Sequence, residues 1–174
     1  MLKLQGEHIY LRAIEPTDLD FLYELENNTS IWEISGTTAP YSKQILELYL
    51  RNAYKDIYEA KQLRLCICDI TDTVIGLIDL FDFDPANKKV GLGIIVSEKK
   101  NRNKGIGTEA LSLVCDYAFN ILDAHQVYAN VIVSNTASIH LFEKLNFKAV
   151  GVKKDWIFAH GAFKDEILYQ KINN

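Results

Sequence analysis

The sequence has little of the material that marks unusual proteins. It holds three prolines, one methionine and three cysteines in 174 residues. No apolar run approaches the ~20 residues of a membrane span. The opening residues Met1 to Glu7 lack the apolar core of a secretion signal, so a soluble, cytoplasmic protein with no membrane partner is expected. Cys66, Cys68 and Cys115 are too few, and odd in number, for a disulfide framework; zinc would need more Cys or His at fixed spacing, so no metal is expected. No linker, repeat or biased segment divides the chain, and the length fits a single domain over residues 1–174. A net charge of −4 lacks the basic excess that nucleic acid or an anionic membrane requires. It leaves room for an acidic pocket holding a cationic small molecule.

Glu7 to Ile14 reads as a strand. Thr17, after Pro16, offers an N-cap for a helix with Leu19, Leu22, Tyr23 and Leu25 at helical spacing. Ser42 offers a second cap. Behind it Ile45, Tyr49, Ala53 and Ile57 form an apolar stripe, flanked by Leu46 and Leu50. Leu63, Leu65 and Ile67 alternate as in a strand; Asp72–Thr73 is a tight turn; Val74 to Phe83 returns. Pro85 to Lys88 turns the chain into Val90 to Val96. Ala110, Leu111, Val114, Ala118 and Ile121 mark a helix, Val127 to Val133 a strand, and Asn135 caps a helix through Leu145. Phe147 to Val152 and Ile167 to Ile172 complete a β-α-α-β-β-β-α-β-α-β-β order. That order fits an α/β protein with a mixed sheet covered by helices on both faces.

The chemistry concentrates after Val96. A basic loop holding Arg102, Asn103 and Lys104 leads to Gly105-Ile106-Gly107-Thr108 at a helix start. Glycines allow a ligand close to the backbone, and the first helix amides lack internal partners and sit at the positive end of the dipole. Together they suit a diphosphate, although tight strand–helix packing would also use such glycines. The third glycine of a dinucleotide fingerprint is missing, and no Gly-Lys-Ser/Thr makes a P-loop.

Arg102-x-x-Gly105-x-Gly107, then Asn135, Ala137, Ser138, Phe142, Asn146 and Phe147, resemble the acetyl-CoA motifs of the GNAT N-acetyltransferases. So do Leu11-Arg12-Ala13-Ile14-Glu15-Pro16-Thr17-Asp18-Leu19, Glu26-Asn27-Asn28, Asp116-Tyr117-Ala118-Phe119 and Ile139 to Leu145. Within that family the segments look most like bacterial spermidine N-acetyltransferases, next to the ribosomal-protein N-terminal acetyltransferases. The resemblance implies the GNAT fold, with a twisted, mostly antiparallel sheet, and acetyl-CoA as co-substrate. It implies acetyl transfer to a primary amine such as a polyamine, by direct attack in a ternary complex, and a homo-oligomer. It also implies that Gly93, Ile94 and Ile95 present main-chain groups to pantetheine, that the amides from Arg102 to Thr108 hold the diphosphate, and that Asn135 bonds the cofactor arm besides capping its helix. A protein N-terminal acetyltransferase and a noncatalytic coenzyme A-binding module are the alternatives.

Two departures from the family's pattern stand out. Phe142 occupies a position where many relatives carry a tyrosine that protonates the leaving thiolate; as a phenylalanine it also suits ordinary core packing. Gly91 stands where relatives often place a glutamate. The amine nucleophile must shed a proton from a group of pKa near ~10.4. Asp79 and Asp82 are the candidate acceptors, with Asp84 the start of a turn. Strict alternation separates Asp79 and Asp82 onto opposite faces unless a bulge intervenes. Glu24, Glu26 and Glu33 are further candidates for a cation site, Trp32, Tyr41 and Trp156 for its walls. His125 and His140 are lone histidines, and His140 reads as solvated or capping.

Overall fold

A computed structural model describes residues 4–97 and 104–174. One seven-stranded sheet has the order β1-β2-β3-β4-β5-β7-β6. Its strands are β1 (Ile9–Ala13), β2 (Leu63–Asp69), β3 (Val74–Asp84), β4 (Lys89–Val96), β5 (Gln126–Ile132), β6 (Lys148–Ala159) and β7 (Ala162–Ile172). Every neighbouring pair is antiparallel except β4–β5. The helices are α1 (Leu19–Glu26), α2 (Trp32–Ser35), α3 (Lys43–Arg51), α4 (Ile57–Ala60), α5 (Ile106–Asn120) and α6 (Thr136–Lys144). Alternation along the central strands sends side chains to two cores. Ile67, Ile78, Leu80, Val90 and Leu92 meet α5 and α6 on one face; Cys66, Cys68 and Leu77 meet α1 and α3 on the other. The expected mixed sheet between helices is thus present, and the three cysteines are buried free thiols.

Local chemistry shifts several expected boundaries. Thr17 does not cap α1. Pro16–Asp18 forms a 3₁₀ turn, and the Asp18 carboxylate accepts hydrogen bonds from the Glu15 amide at 2.8 Å and from both terminal nitrogens of Arg12 at 2.9 Å. Burial alone would raise this carboxyl, but Arg12 and the Glu15 amide outweigh it and hold its pKa below the usual range. The stripe from Ile45 to Ile57 is not one helix. Ser42 caps α3 as expected, accepting from the Ile45 amide at 3.2 Å. Asn52 then stops it, its side-chain amide donating to the Leu48 carbonyl, and Asp56 starts α4 by accepting from the Glu59 amide. The buried face of α3 is Leu46 and Leu50, while Ile45 is 55% exposed.

β6 and β7 are longer than the apolar signal suggested. They form one hairpin whose two-residue loop, His160–Gly161, has positive φ at both positions, the geometry that matches strand twist. Trp156, Phe158 and Phe163 lie exposed near its tip. From that tip Lys164 and His160 pair with Glu33 on α2.

Candidate active site

β4 and β5 part company early. Their parallel ladder covers only Lys89–Gly91 against Gln126–Tyr128, so β4 has no β5 partner from Leu92 to Ile95. The fork has an aromatic wedge. Phe81, Gly91 and Tyr128 lie side by side across β3, β4 and β5, and the two rings meet edge-on at 5.9 Å over the glycine. A Cβ on Gly91 would sit 2.3 Å from the Phe81 ring, so any side chain there would force the ring to move.

Two clefts open from this fork. The first, of about 700 Å³, runs between the end of β4, the start of α5 and one face of α6. Of the expected cofactor residues, Ile94, Ile95, Gly105, Gly107, Thr108 and Asn135 line it. Gly105 precedes α5 in the left-handed region, φ 78°, with open space where a Cβ would point. Gly107 has a different duty: a Cβ there would press within 3.3 Å of Leu141, so it lets α6 pack against α5. Asn135 lines the cleft while its side chain caps α6, accepting from the Ser138 amide at 3.2 Å. Ile106 turns into the core, and Lys104 is exposed beside the cleft. Arg102 and Asn103 lie outside the described residues. Ala137, Ser138, Leu141 and Lys144 complete the α6 face at helical spacing, a signal present in the sequence; His140 joins them there. Lys144 and His140 are the only ionisable side chains among the described residues lining this cleft.

The second cleft, of about 510 Å³, lies on the other side of β4 and includes Gly93, with Tyr41, Tyr49, Glu26, Arg64 and Asp79. Ile34, Ile94 and Ile95 line both clefts, so the two meet at the open stretch of β4. Arg64 organises the charge. Its Nε and Nη2 donate to the two oxygens of Asp79 at 2.7 and 2.9 Å, and its Nη1 donates to Glu26 at 2.7 Å. One guanidinium against two carboxylates leaves a net negative locus. Burial opposes the Arg64 charge, but the bond to Asp79 outweighs it and keeps the side chain protonated. Burial also raises the Tyr49 phenol.

The acidic candidates separate. Asp79 reaches the second cleft with both oxygens engaged by Arg64. A bulge between Phe81 and Asp84 carries Asp82 outward, exposed at φ 49°, and it lines neither cleft. Asp84 caps the turn to Asn87. Glu26, a lesser candidate in the sequence, is the second carboxylate at the cleft, while Glu24 is solvated and Glu33 holds the hairpin tip. Phe142 is buried, edge-on to Phe147 at 5.0 Å and stacked on Tyr169, and lines neither cleft. Of the expected aromatic walls Tyr41 is in place; Trp32 donates to the Glu26 carbonyl, and Trp156 lies out on β6. No cluster of metal-ligating side chains occurs among the described residues, and no helix there is long and apolar enough to cross a membrane.

An anion-binding helix start, a strand edge open to amide pairing and an adjoining cleft with carboxylates can together bring an acylated nucleotide thioester to an amine. Comparisons with known proteins agree. The sequence profile of the acetyltransferase (GNAT) domain matches residues 8–148. The chain is 29% identical over 162 residues to spermidine N(1)-acetyltransferase of Vibrio cholerae, covering 92% of this chain and 90% of that one. The crystal structure of the Vibrio cholerae spermidine N-acetyltransferase with CoA and spermine superposes with a TM-score of 0.86 at 26% identity, covering 94% and 95% of the two chains. A dodecameric structure of that enzyme matches at a TM-score of 0.78 and 29% identity, over 94% and 93%. The chain belongs to the GNAT family and is an acetyl-CoA-dependent N-acetyltransferase.

Proposed function

We propose that the acceptor is a polyamine such as spermidine, acetylated on a primary amine by direct attack while acetyl-CoA and acceptor are bound together. The observation that carries this reading is the junction at Ile94 and Ile95, where a cleft with no carboxylate among its described lining residues meets one whose charge is Glu26, Asp79 and a single Arg64. The names of the spermidine acetyltransferase relatives support it.

The roles follow from position. The amides from Arg102 to Thr108, at the start of α5, hold the diphosphate, and Lys104 adds charge at its rim. Gly93, Ile94 and Ile95 pair their main chain with the pantetheine amides, and Asn135 bonds the same arm. A β4 amide near Ile95 stabilises the developing oxyanion. The thioester supplies the acetyl group. Holding it against the acceptor replaces an encounter of two solutes, worth several kcal/mol of barrier, of order 7–11 at the upper end. Glu26 and Asp79 attract the cationic acceptor. With both Asp79 oxygens on Arg64, its contribution is field and orientation. Phe142 supports α6 from the core and gives no proton; the ammonium of the acceptor loses its proton to solvent before attack, and the departing thiolate, a fair leaving group at a thiol pKa near ~8.5, takes one back from solvent. The dodecameric relative supports a homo-oligomeric assembly of this single-domain chain.

Radiolabelled acetyl-CoA with spermidine, spermine, an aminoglycoside and short peptides tests the reading. Transfer to spermidine or spermine at the highest kcat/KM is expected. Preference for peptide N-termini would replace the polyamine with a protein acceptor, and coenzyme binding without transfer to any amine would reduce the chain to a binding module.

A further inference from the structure

The chain between α1 and α3, residues 28–41, runs beside the place where the two clefts meet. Ile34 projects from it and lines both; Ser35, Thr37 and Tyr41 line the second. This span has no long element, only a 3₁₀ turn (Thr29–Ile31), the single turn of α2 and then the left-handed Gly36, φ 74°. Two hydrogen-bonded ties return it to the end of α1. The Trp32 indole donates to the Glu26 carbonyl at 2.9 Å. The Asn27 side chain clasps the Tyr41 backbone, accepting from its amide at 2.8 Å and donating to its carbonyl at 3.0 Å. Between these ties Ile34 is 52% exposed, so little packing fixes it. Charge holds the middle instead. Glu33, the only charged residue at positions 27–42, pairs with Lys164, and the His160 imidazole stands 3.5 Å from its other oxygen. Lys164 comes 131 residues later, past the end of the β5–β7 register, where its partner is Ile157 of β6. The Glu33 and Lys164 side chains are 21% and 25% exposed, so water and salt screen them less than a fully solvated pair.

Two ties to one helix leave a short span free to pivot about the line that joins them. A third tie, to a different part of the sheet, removes that freedom. We infer that Glu33 and Lys164 are positioning residues for acetyl transfer: their ion pair, seconded by His160, latches α2 to the β6–β7 hairpin and holds Ile34 at the open stretch of β4, where thioester and acceptor meet. The inference rests on the reading of the second cleft as the acceptor site and adds what fixes its wall. Neither side chain lines a cleft, so neither touches a reacting atom. Their effect passes through Ile34. Reacting atoms must be held about 3–3.5 Å apart in a set orientation, so a small drift of that wall costs rate. An ion pair that merely stabilised the fold would move the melting temperature and leave the kinetics of both substrates alone.

Steady-state kinetics with spermidine and acetyl-CoA, beside calorimetry with coenzyme A, separate the two roles. Lys164→Met and Glu33→Gln should each lower kcat/KM for spermidine about fivefold, the scale of one partly shielded ion pair. Coenzyme A affinity should stay within about twofold of the unmodified protein, because the α5 amides grip the coenzyme without α2. The double variant should be no worse than either single one, since both remove the same contact. Lys164→Arg, which keeps the charge, should retain most of the activity. Single variants that keep the unmodified kcat/KM for spermidine, losses that add in the double variant, or a coenzyme A affinity that falls in step with kcat/KM would each overturn the inference and leave the acceptor reading standing. An unmodified protein that binds coenzyme A and acetylates no spermidine would overturn the acceptor reading, and the inference with it.

Discussion

The two clefts share a wall of Ile34, Ile94 and Ile95 and are otherwise opposites. In the first, positive potential comes from the α5 start and from Lys144 on α6, with no carboxylate among the described lining residues. In the second, Glu26 and Asp79 exceed Arg64 by one charge. One strand therefore divides a cleft lined by Lys144 from one in which carboxylates outnumber cations. On the proposed reading the first cleft holds its ligand chiefly through main chain, which few substitutions can alter without moving the fold, and the second through side chains, which a single change re-aims.

The largest expected effect attacks the main-chain side. Gly105→Glu places a carboxylate at the α5 start and forces φ 78° on a residue with a Cβ. Coenzyme A affinity measured by calorimetry should fall about a hundredfold, while the circular dichroism spectrum is retained. Unchanged affinity would erase the contrast between the clefts. Next, Asp79→Asn and Glu26→Gln should each raise KM for spermidine about tenfold and leave KM for acetyl-CoA alone, whereas Asp82→Asn should change neither. Equal effects of Asp79→Asn and Asp82→Asn in steady-state kinetics would mean that the bulge does not exclude Asp82. Gly91→Ala drives a methyl into the Phe81 ring at the fork common to both clefts; it should cost about 1–3 kcal/mol in urea unfolding. A neutral result would show that the aromatic wedge yields freely.

The smallest effect is a pH dependence confined to the carboxylate side, where the Arg12–Asp18 pair fixes the entrance to α1, the helix that carries Glu26. The Asp18 pKa is lowered in the folded state, so the pair's stabilisation is complete above the unfolded carboxyl value, near ~3.9, and is lost as pH falls through the folded value. Thermal melts between pH 6 and pH 2, about the range of that titration, should show a shallower acid decline in Asp18→Asn than in the unmodified protein. Identical slopes would remove Asp18 from the acid response.

The contrast also explains what could be read in advance. Gly105, Gly107 and Asn135 announce the first cleft because backbone chemistry demands particular residue types at short spacing. The second cleft is assembled across distance. Arg64 meets Asp79 because β2–β3 register places them opposite each other, and Glu26 arrives on α1, 38 residues earlier in the chain. No local pattern carries that information. Strict alternation already put Asp79 and Asp82 on opposite faces and left a bulge as the way to join them; a bulge is present after Phe81, yet Asp82 stays exposed and apart from the second cleft. Asn52 and Asp56 broke an apolar stripe that periodicity alone joined, and the hairpin tip was hidden because its aromatics face outward and its turn is His-Gly rather than Asn-Gly. The wedge at Gly91 would have needed knowledge of which rings flank it.

The order β5-β7-β6 has a temporal meaning. β6 touches the sheet only through β7, and Lys164 and His160 of the same hairpin brace Glu33 beside the shared isoleucine wall. During translation, everything up to Lys148 can emerge while that wall still lacks its brace. Synthesis of the final strand is thus also the event that sets the brace behind that wall.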